Sequence, residues 1–180
     1  ETAHAGHTII KPEQLATVHA MRNSVRGNPF AAQLLAGAGR REQAIRWRDA
    51  TGLTLKARFD LVLDAGIVVD VKTAPSLDTC RWRNTVNDLG YHRQAAHYLD
   101  GYRAIWACPG QGQHYHVVFA SKPPYEVGVK EIGAASLALG AQQTRKALDE
   151  LAACYASGEW VSQHANGIEL VDVPRHAFYD

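Results

Sequence analysis

The most constraining feature of the chain is an alternating stretch that predicts two long strands joined by a tight turn. Between Leu53 and Leu63 every second residue is apolar, and most of the residues between them are polar. Such alternation is typical of a half-buried strand, and it predicts that the whole apolar set, including Leu61, faces one side. The sequence Asp64-Ala65-Gly66 predicts the turn, and Ile67–Thr73 predicts the second strand. An antiparallel hairpin therefore belongs at the centre of the fold.

Helical and strand patterns alternate along the rest of the chain. Apolar residues recur at helical spacing after Pro12, and the sequence Gly27-Asn28-Pro29 ends that helix. Further helices are predicted over about 31–35, 88–102 and 134–156, strands over about 44–48, 114–120 and 125–132, and a polar loop over 75–87. Because helices and strands are mixed and the hairpin is antiparallel, the expected fold class is α/β, with a mixed central sheet flanked by helices.

Size and composition are those of an ordinary globular domain. The 180 residues suffice for one domain, and 46% hydrophobic with 21% charged residues exclude a disordered or fibrous protein. No apolar run approaches the roughly 18 residues of a membrane-spanning helix. The formal charge of +1 neither favours nor excludes a polyanionic partner. Three widely spaced cysteines favour a reducing compartment, which we expect to be the cytoplasm.

Residues 1–180 are expected to form a single domain. Within it, residues 1–10 are expected to be a loosely held lead-in and residues 158–180 a surface-wrapping tail. The first residue is Glu1 rather than Met, and we therefore expect the chain to be the C-terminal part of a longer protein.

Three charged residues on the hairpin are the main chemical candidates. Asp70 and Lys72 lie on one face of the second strand, about 7 Å apart, and the predicted turn places Asp60 directly opposite Asp70. Like charges at such a pair are destabilising, and Mg²⁺, which prefers carboxylate oxygens, would offset the repulsion. Lys72 would then orient a metal-bound water and offset charge on a phosphoryl oxygen. The alternative is an ordinary charged sheet face, although Asp70 lies in a strongly apolar strand.

The sequence around these residues resembles a known nuclease family. Asp60, followed by Asp70-Val71-Lys72-Thr73, resembles the PD-(D/E)XK nuclease signature. The wider sequence is similar to that of the RecE-type exonucleases, which are exodeoxyribonuclease VIII and its prophage relatives. The matching segments are Glu42–Trp47, Gly52–Asp60, Val69–Thr73, Tyr91–Tyr102 and parts of Gly158–Pro174. The element Tyr91-His92-x-Gln94-x-x-x-Tyr98 makes the resemblance fairly specific, and it covers the chain from about Ile10 onward.

The resemblance implies roles for individual residues. Asp60 and Asp70 would be the side-chain metal ligands, the Val71 carbonyl would be a further ligand, and Lys72 would position the attacking water. Gln94 would join this catalytic set from a flanking helix. Supporting or DNA-contacting roles fall to six further residues: Glu42, Arg58, Thr73, Tyr91, His92 and Tyr98. The i, i+4 spacing of Gln94 and Tyr98 places both on one helical face, for which an ordinary half-buried face is the alternative.

The resemblance also implies a fold and an activity. The core would be restriction-endonuclease-like, and the enzyme would be a Mg²⁺-dependent exodeoxyribonuclease in which Mn²⁺ can substitute. It would digest linear double-stranded DNA from its ends, 5′→3′, in phage-type recombination, as a homo-tetramer with a single-strand-annealing partner. Two departures from the family are Phe59, where Pro is usual, and the lack of an upstream His in a Gly-Thr-x-x-His context. A metal-dependent endonuclease and a catalytically impaired DNA-binding or assembly module are the alternatives.

Two further patterns carry weaker predictions. His114-x-His116 would place two imidazoles on one strand face, either as a zinc pair or, without a well-spaced third ligand, as packing histidines. Basic residues cluster around the hairpin, with Trp47 and Trp82 among them, and this predicts a patch that neutralises phosphates and stacks on a base. The alternative is a solvated basic face with inward-packed Trp residues. We expect the polar segment 79–87 to become ordered on DNA.

Overall fold

The computed structural model describes residues 9–106, 112–160, 167–168 and 171. Most of the predicted lead-in and tail lies outside these residues. The strands are β1 (Gly39–Arg48), β2 (Thr54–Leu63), β3 (Ile67–Ala74), β4 (Gln113–Ala120) and β5 (Val127–Glu131). The helices are α1 (Pro12–Gly27), α2 (Pro29–Ala36), α3 (Thr79–Asp88), α4 (Tyr91–Trp106) and α5 (Ala134–Ser157). One five-stranded sheet has the order β1-β2-β3-β4-β5, in which only β3 and β4 pair in parallel. The predicted mixed sheet is confirmed.

Local sequence signals set the first helices. Pro12 occupies the first turn of α1, and the Lys11 N–H donates to Gln14 Oε1 at 2.8 Å, which uses one backbone donor of the helix start. Asn28 caps α2, because its Oδ1 accepts from the Ala31 N–H at 3.1 Å. Its Nδ2 also donates to the Val127 carbonyl at 3.0 Å, which ties the start of α2 to β5.

The two faces of the sheet carry separate hydrophobic clusters. On one face α4 buries Leu99 and Tyr102 against Phe59 and Val68. On the other face α1 and α2 cover a second cluster, whose buried members are Ala31, Leu61, Leu63, Val69, Val117 and Phe119. The sheet is thus a middle layer, as expected for helices flanking a sheet.

One expectation about strand β2 is wrong. Phe59 packs under α4, whereas Leu61 packs on the α1–α2 side, so the apolar set does not face one way. The pairing of β1 with β2 skips one position between Arg41↔Leu61 and Gln43↔Phe59, where Glu42 has a left-handed φ of 52°. At this point the alternation of β2 shifts by one residue, since Phe59 and Val62 both pack under α4 whereas Leu61 and Leu63 pack on the other side, and both sides of β2 are therefore buried.

The predicted polar loop over 75–87 is also wrong in its second half, because Thr79–Asp88 forms helix α3. Asp78 caps this helix by accepting from the Arg81 N–H at 2.9 Å. Trp82 is the apolar anchor, at 5% exposure, among mostly exposed neighbours. Trp82 is the single buried residue of this ten-residue, mostly polar helix, which explains why the segment looked like a loop.

Helix α5 supports α4 from outside. Gly140 crosses α4 so closely that a Cβ at this position would meet the backbone carbonyl of His92. Since α4 carries Gln94, this contact holds the helix that flanks the hairpin. None of the helices within the described ranges is long and apolar enough to cross a membrane.

Candidate active site

Strands β2 and β3 separate at the position of the two aspartates. Their pairing includes Val62↔Val68 and Leu61↔Val69, which is the register predicted from the turn, and Asp60 and Asp70 are the next positions along it. At the next position a side chain takes the place of a backbone acceptor, because the Val71 N–H donates to Oδ2 of the Asp60 carboxylate at 2.8 Å. The two carboxylates therefore sit where the strands open.

Asp70, Lys72 and Gln94 form a closed polar network. The Lys72 ammonium lies 2.5 Å from Asp70 Oδ2 and donates to Gln94 Oε1 at 3.1 Å. Gln94 in turn donates from Nε2 to Asp70 Oδ1 at 3.3 Å. The ammonium also lies 4.5 Å from the centre of the Tyr91 ring, a cation–π contact that fixes its position. The structure thus brings together the predicted pair on β3 and the predicted glutamine on α4.

Burial dominates the electrostatics of this network. The Asp70 side chain is 4% exposed and that of Lys72 is 17% exposed. Burial raises the pKa of the Asp70 carboxyl above its ordinary value; the Lys72 ammonium opposes this rise, and the negative charge of Asp60 adds to it. A second positive charge at the opening between the strands would therefore favour the ionised form of Asp70.

The donor set fits a hard divalent cation. Asp70 Oδ2 is buried and, despite its contact with Lys72, accepts no hydrogen bond of acceptable geometry. Asp60 uses Oδ2 for the Val71 N–H. Within the described ranges no three His, Cys, Asp or Glu side chains converge on one point, so backbone oxygen and water would have to complete the shell. Mg²⁺ usually keeps several waters and binds through one or two carboxylates, which matches this arrangement.

Two histidines lie behind the site on β4. His116 pairs with Asp70 in the parallel ladder, His114 pairs with Val68, and both side chains are fully buried. Burial lowers the pKa of each imidazole to about 3, so both are neutral, and neither ring finds a hydrogen-bond partner. Their rings pack against each other and against Tyr91 and Tyr98. Without a third ligand among the described residues, the packing interpretation holds and the zinc pair does not.

Two of the residues with a predicted supporting or DNA-contacting role, His92 and Thr73, lie away from the Asp70–Lys72–Gln94 network. His92 is 5% exposed, and its ring nitrogens contact the Val86 carbonyl and Gln143 Oε1, at 3.2 and 2.7 Å. It is therefore a packing residue between helices and not a DNA contact. Thr73 lies on the strand face opposite to Asp70 and Lys72, by alternation along β3.

Tyr98 packs edge-on against Phe59, with the ring centres 5.2 Å apart. Phe59 itself is fully buried, so the residue that departs from the family's Pro serves as a core anchor next to Asp60.

Glu42 and Arg58 pair with each other on neighbouring strands. The Arg58 Nε donates to Glu42 Oε2 at 2.8 Å, and both side chains are more than half exposed. Because Arg41 pairs with Leu61 and Gln43 pairs with Phe59, Glu42 lies next to Asp60. Both residues are thus beside the predicted metal ligands, with Glu42 engaged by a guanidinium.

The predicted base-stacking role of the tryptophans is wrong. Trp47 is 9% exposed within the core cluster under α4, and Trp82, on α3, is 5% exposed and packs with Ala74 and Val118. Both rings face inward, which agrees with the alternative interpretation of inward-packed Trp residues. The sequence analysis also missed two environmental contacts of the site: His116 beside Asp70, and the Tyr91 ring under Lys72. The parallel pairing of β3 with β4 creates the first contact, and no local sequence signal reports it.

Comparisons with known proteins agree with this fold. A solved structure from Eubacterium rectale, named "Putative exonuclease", is similar to 98% of this chain over 68% of its own length, with 11% identity and a TM-score of 0.65. A second structure, SSO0001, matches 75% of this chain and 59% of its own at 16% identity, but its TM-score of 0.38 carries no argument. No curated protein matches significantly. A family model described as a PDDEXK-like domain of unknown function (DUF3799) matches residues 2–173. The chain therefore belongs to this PDDEXK-like family, within the PD-(D/E)XK nuclease superfamily.

Proposed function

We propose that the protein is a metal-dependent deoxyribonuclease. The observation that carries the proposal is the convergence of Asp60, Asp70 and Lys72, together with Gln94, where β2 and β3 separate. Two carboxylates that repel each other beside a lysine are suited to bind a cation and a phosphodiester together. Membership in the PDDEXK-like family supports the same chemistry.

The residues of the site would divide the work of hydrolysis. Asp60 and Asp70, with the Val71 carbonyl, would hold Mg²⁺, or Mn²⁺ in its place. The bound cation supplies a water of lowered pKa and neutralises charge on the phosphoryl oxygens. Lys72 would hold the attacking water oxygen in line with the phosphorus atom, and Gln94 would keep the ammonium of Lys72 in place through Oε1. A bond forms between the water oxygen and phosphorus, the bond from phosphorus to the leaving oxygen breaks, and a proton passes to that oxygen.

The finer proposal is an exonuclease that digests linear double-stranded DNA from its ends in the 5′→3′ direction. Its support is the resemblance of the hairpin and of the Tyr91–Tyr98 element to the RecE-type exonucleases. The same resemblance supports a role in phage-type recombination, a single-strand-annealing partner and a homo-tetramer, and the three widely spaced cysteines support a cytoplasmic location. The name of the Eubacterium rectale structure, "Putative exonuclease", supports the exonuclease activity alone.

A second candidate is a DNA-binding or assembly module of the same fold that cuts poorly. One observation favours it: no third acidic or histidine ligand converges with Asp60 and Asp70 within the described residues. The ion pair between Lys72 and Asp70 also occupies an oxygen that a cation would use. A module of this kind would bind DNA without consuming it.

Digestion of linear and closed circular duplex DNA, in Mg²⁺ and in EDTA, tests these proposals. We expect loss of linear DNA alone, only in Mg²⁺, and none with Asp70→Ala. Nicking of the closed circle would indicate an endonuclease and overturn the exonuclease proposal. DNA binding without digestion would favour the inactive module. Digestion that persists in EDTA or in Asp70→Ala would overturn the assigned site.

A further inference from the structure

The outer half of the β1–β2 hairpin has a face that no helix covers. In this half Ile45, Trp47 and Ala57 face α4 and belong to or pack against its cluster. The alternate positions face away, and they carry four exposed cations: Arg46, Arg48, Lys56 and Arg58. The cluster under α1 and α2 includes no residue from 44–58, so those helices end before this face begins. We call these four residues the basic face.

The basic face places like charges directly opposite one another. Arg46 pairs with Lys56 across the antiparallel ladder, and the side chains of such a pair are neighbours. Like charges opposed in this way are destabilising, as argued for the two aspartates. Among the described residues, Arg46, Arg48 and Lys56 have no ion-pair partner. Arg58 forms an ion pair with Glu42. An arrangement that costs folding free energy needs a ligand to account for it.

The geometry points to an extended polyanion as that ligand. Successive residues on one strand face lie about 6.6 Å apart, so Lys56 and Arg58 form one row of charges and Arg46 and Arg48 another. Arg58 is two residues from Asp60, so the row formed by Lys56 and Arg58 ends next to Asp60, on the side of the sheet away from α4. A duplex carries its phosphates in rows at regular spacing, and Lys and Arg are the residues that neutralise them.

We propose that the basic face binds the phosphate backbone of duplex DNA beside Asp60. This inference rests on the proposed nuclease function and adds to it the surface by which the substrate is held. The contacts would be to phosphates and would therefore be independent of base sequence.

Binding of a fluorescent linear duplex, measured by anisotropy in EDTA over a series of salt concentrations, tests the proposal. Removing two phosphate contacts with Arg46→Gln/Lys56→Gln should reduce the slope of log K against log salt by about 1.8, and weaken binding on the order of 10–100-fold at low salt. The matched control is Arg22→Gln/Arg26→Gln, which removes from α1 two exposed arginines that form no ion pair with another described residue. A control slope that falls as much as that of the double variant would overturn the proposal.

A charge reversal separates binding from folding. Lys56→Glu should raise resistance to urea, because it converts a repulsive pair with Arg46 into an attractive one, and should weaken DNA binding at the same time. A purely structural role for Lys56 would not move the two readouts in opposite directions.

The outcomes distinguish this inference from the proposed function. If the protein digests linear DNA and Arg46→Gln/Lys56→Gln leaves the salt slope unchanged, the basic face is not the binding surface and the nuclease stands. If the slope falls but no DNA is digested in Mg²⁺, the surface stands and the nuclease does not. If the parent protein neither binds nor digests DNA, both are overturned.

Discussion

Replacing Lys72 with Met should destabilise the metal-free protein well beyond what an exposed lysine substitution does. The Asp70 carboxylate is 4% exposed, and the Lys72 ammonium, 17% exposed, is the cation that contacts it. Removing one partner of a buried pair costs about 3–5 kcal/mol, because the other charge is left uncompensated. Since Lys72 keeps some access to water and Gln94 still donates to Asp70, we expect a loss of about 2–3 kcal/mol. In a domain of this size that corresponds to a Tm lower by roughly 4–12 °C.

Urea unfolding in EDTA at neutral pH measures this loss. Lys146→Met is the matched control, because it makes the same change at a side chain that is 80% exposed and 3.8 Å from Glu150, and its effect should stay within about 0.5 kcal/mol. Asp70→Asn is the reciprocal variant. It removes the buried charge and leaves an ammonium that can turn toward water, so it should cost less than Lys72→Met.

An unfolding free energy for Lys72→Met within about 0.5 kcal/mol of the parent value would mean that Lys72 does not compensate a buried charge. If Asp70→Asn were the more damaging substitution, hydrogen bonding and not charge would hold the site together. Mg²⁺ adds a separate readout. A cation held by Asp60 and Asp70 stabilises the folded protein by mass action and should recover part of the loss in Lys72→Met.

Three further predictions concern pH and packing. Burial lowers the pKa of His114 to about 3. Between that value and about 6.5 the unfolded chain binds a proton at His114 and the folded protein does not, so the stability of the folded protein falls as the pH drops below about 6.5. His114→Leu should flatten this fall in urea unfolding at about pH 7 and 5. Burial alone would raise the pKa of Asp49, but hydrogen bonds from Thr51 and Arg145 hold it below its ordinary value. Asp49→Asn should therefore lower Tm at neutral pH, and the difference in Tm between variant and parent should vanish in acid. Gly140→Ala should cost about 1–3 kcal/mol by forcing α5 away from α4, measured as a lower urea midpoint.

The predictable part of the site is the part built by neighbours in sequence. The turn at Asp64-Ala65-Gly66 sets the register of β2 with β3, and that register places Asp60 and Asp70 side by side. Helical periodicity likewise places Gln94 and Tyr98 on one face of α4. Both relations depend on backbone periods over short separations, which a single sequence displays directly.

Other features depend on irregularities that a periodic pattern cannot report. The side-chain alternation of β2 shifts next to Asp60, where the pairing with β1 is interrupted at Glu42, whose backbone is left-handed. No Gly or Asn marks Glu42, and on β2 the alternation of polar and apolar residues in the sequence continues through Asp60. The inward packing of Trp82 follows from helix α3, whose mostly polar residues were interpreted as a loop.

The environment of Asp70 is set by the longest-range pairing in the sheet. Strands β3 and β4 run parallel, and α3 and α4 lie between them in sequence, so no turn fixes their register. The ladder nevertheless places the buried, neutral His116 beside Asp70, where it contributes bulk without a compensating charge. A slip of one residue would bring Tyr115 or Val117 to that position and turn the histidine to the other face. The hairpin therefore brings Asp60, Asp70 and Lys72 together, whereas the crossover to β4 adds to the burial that raises the pKa of Asp70 and that a bound cation would offset.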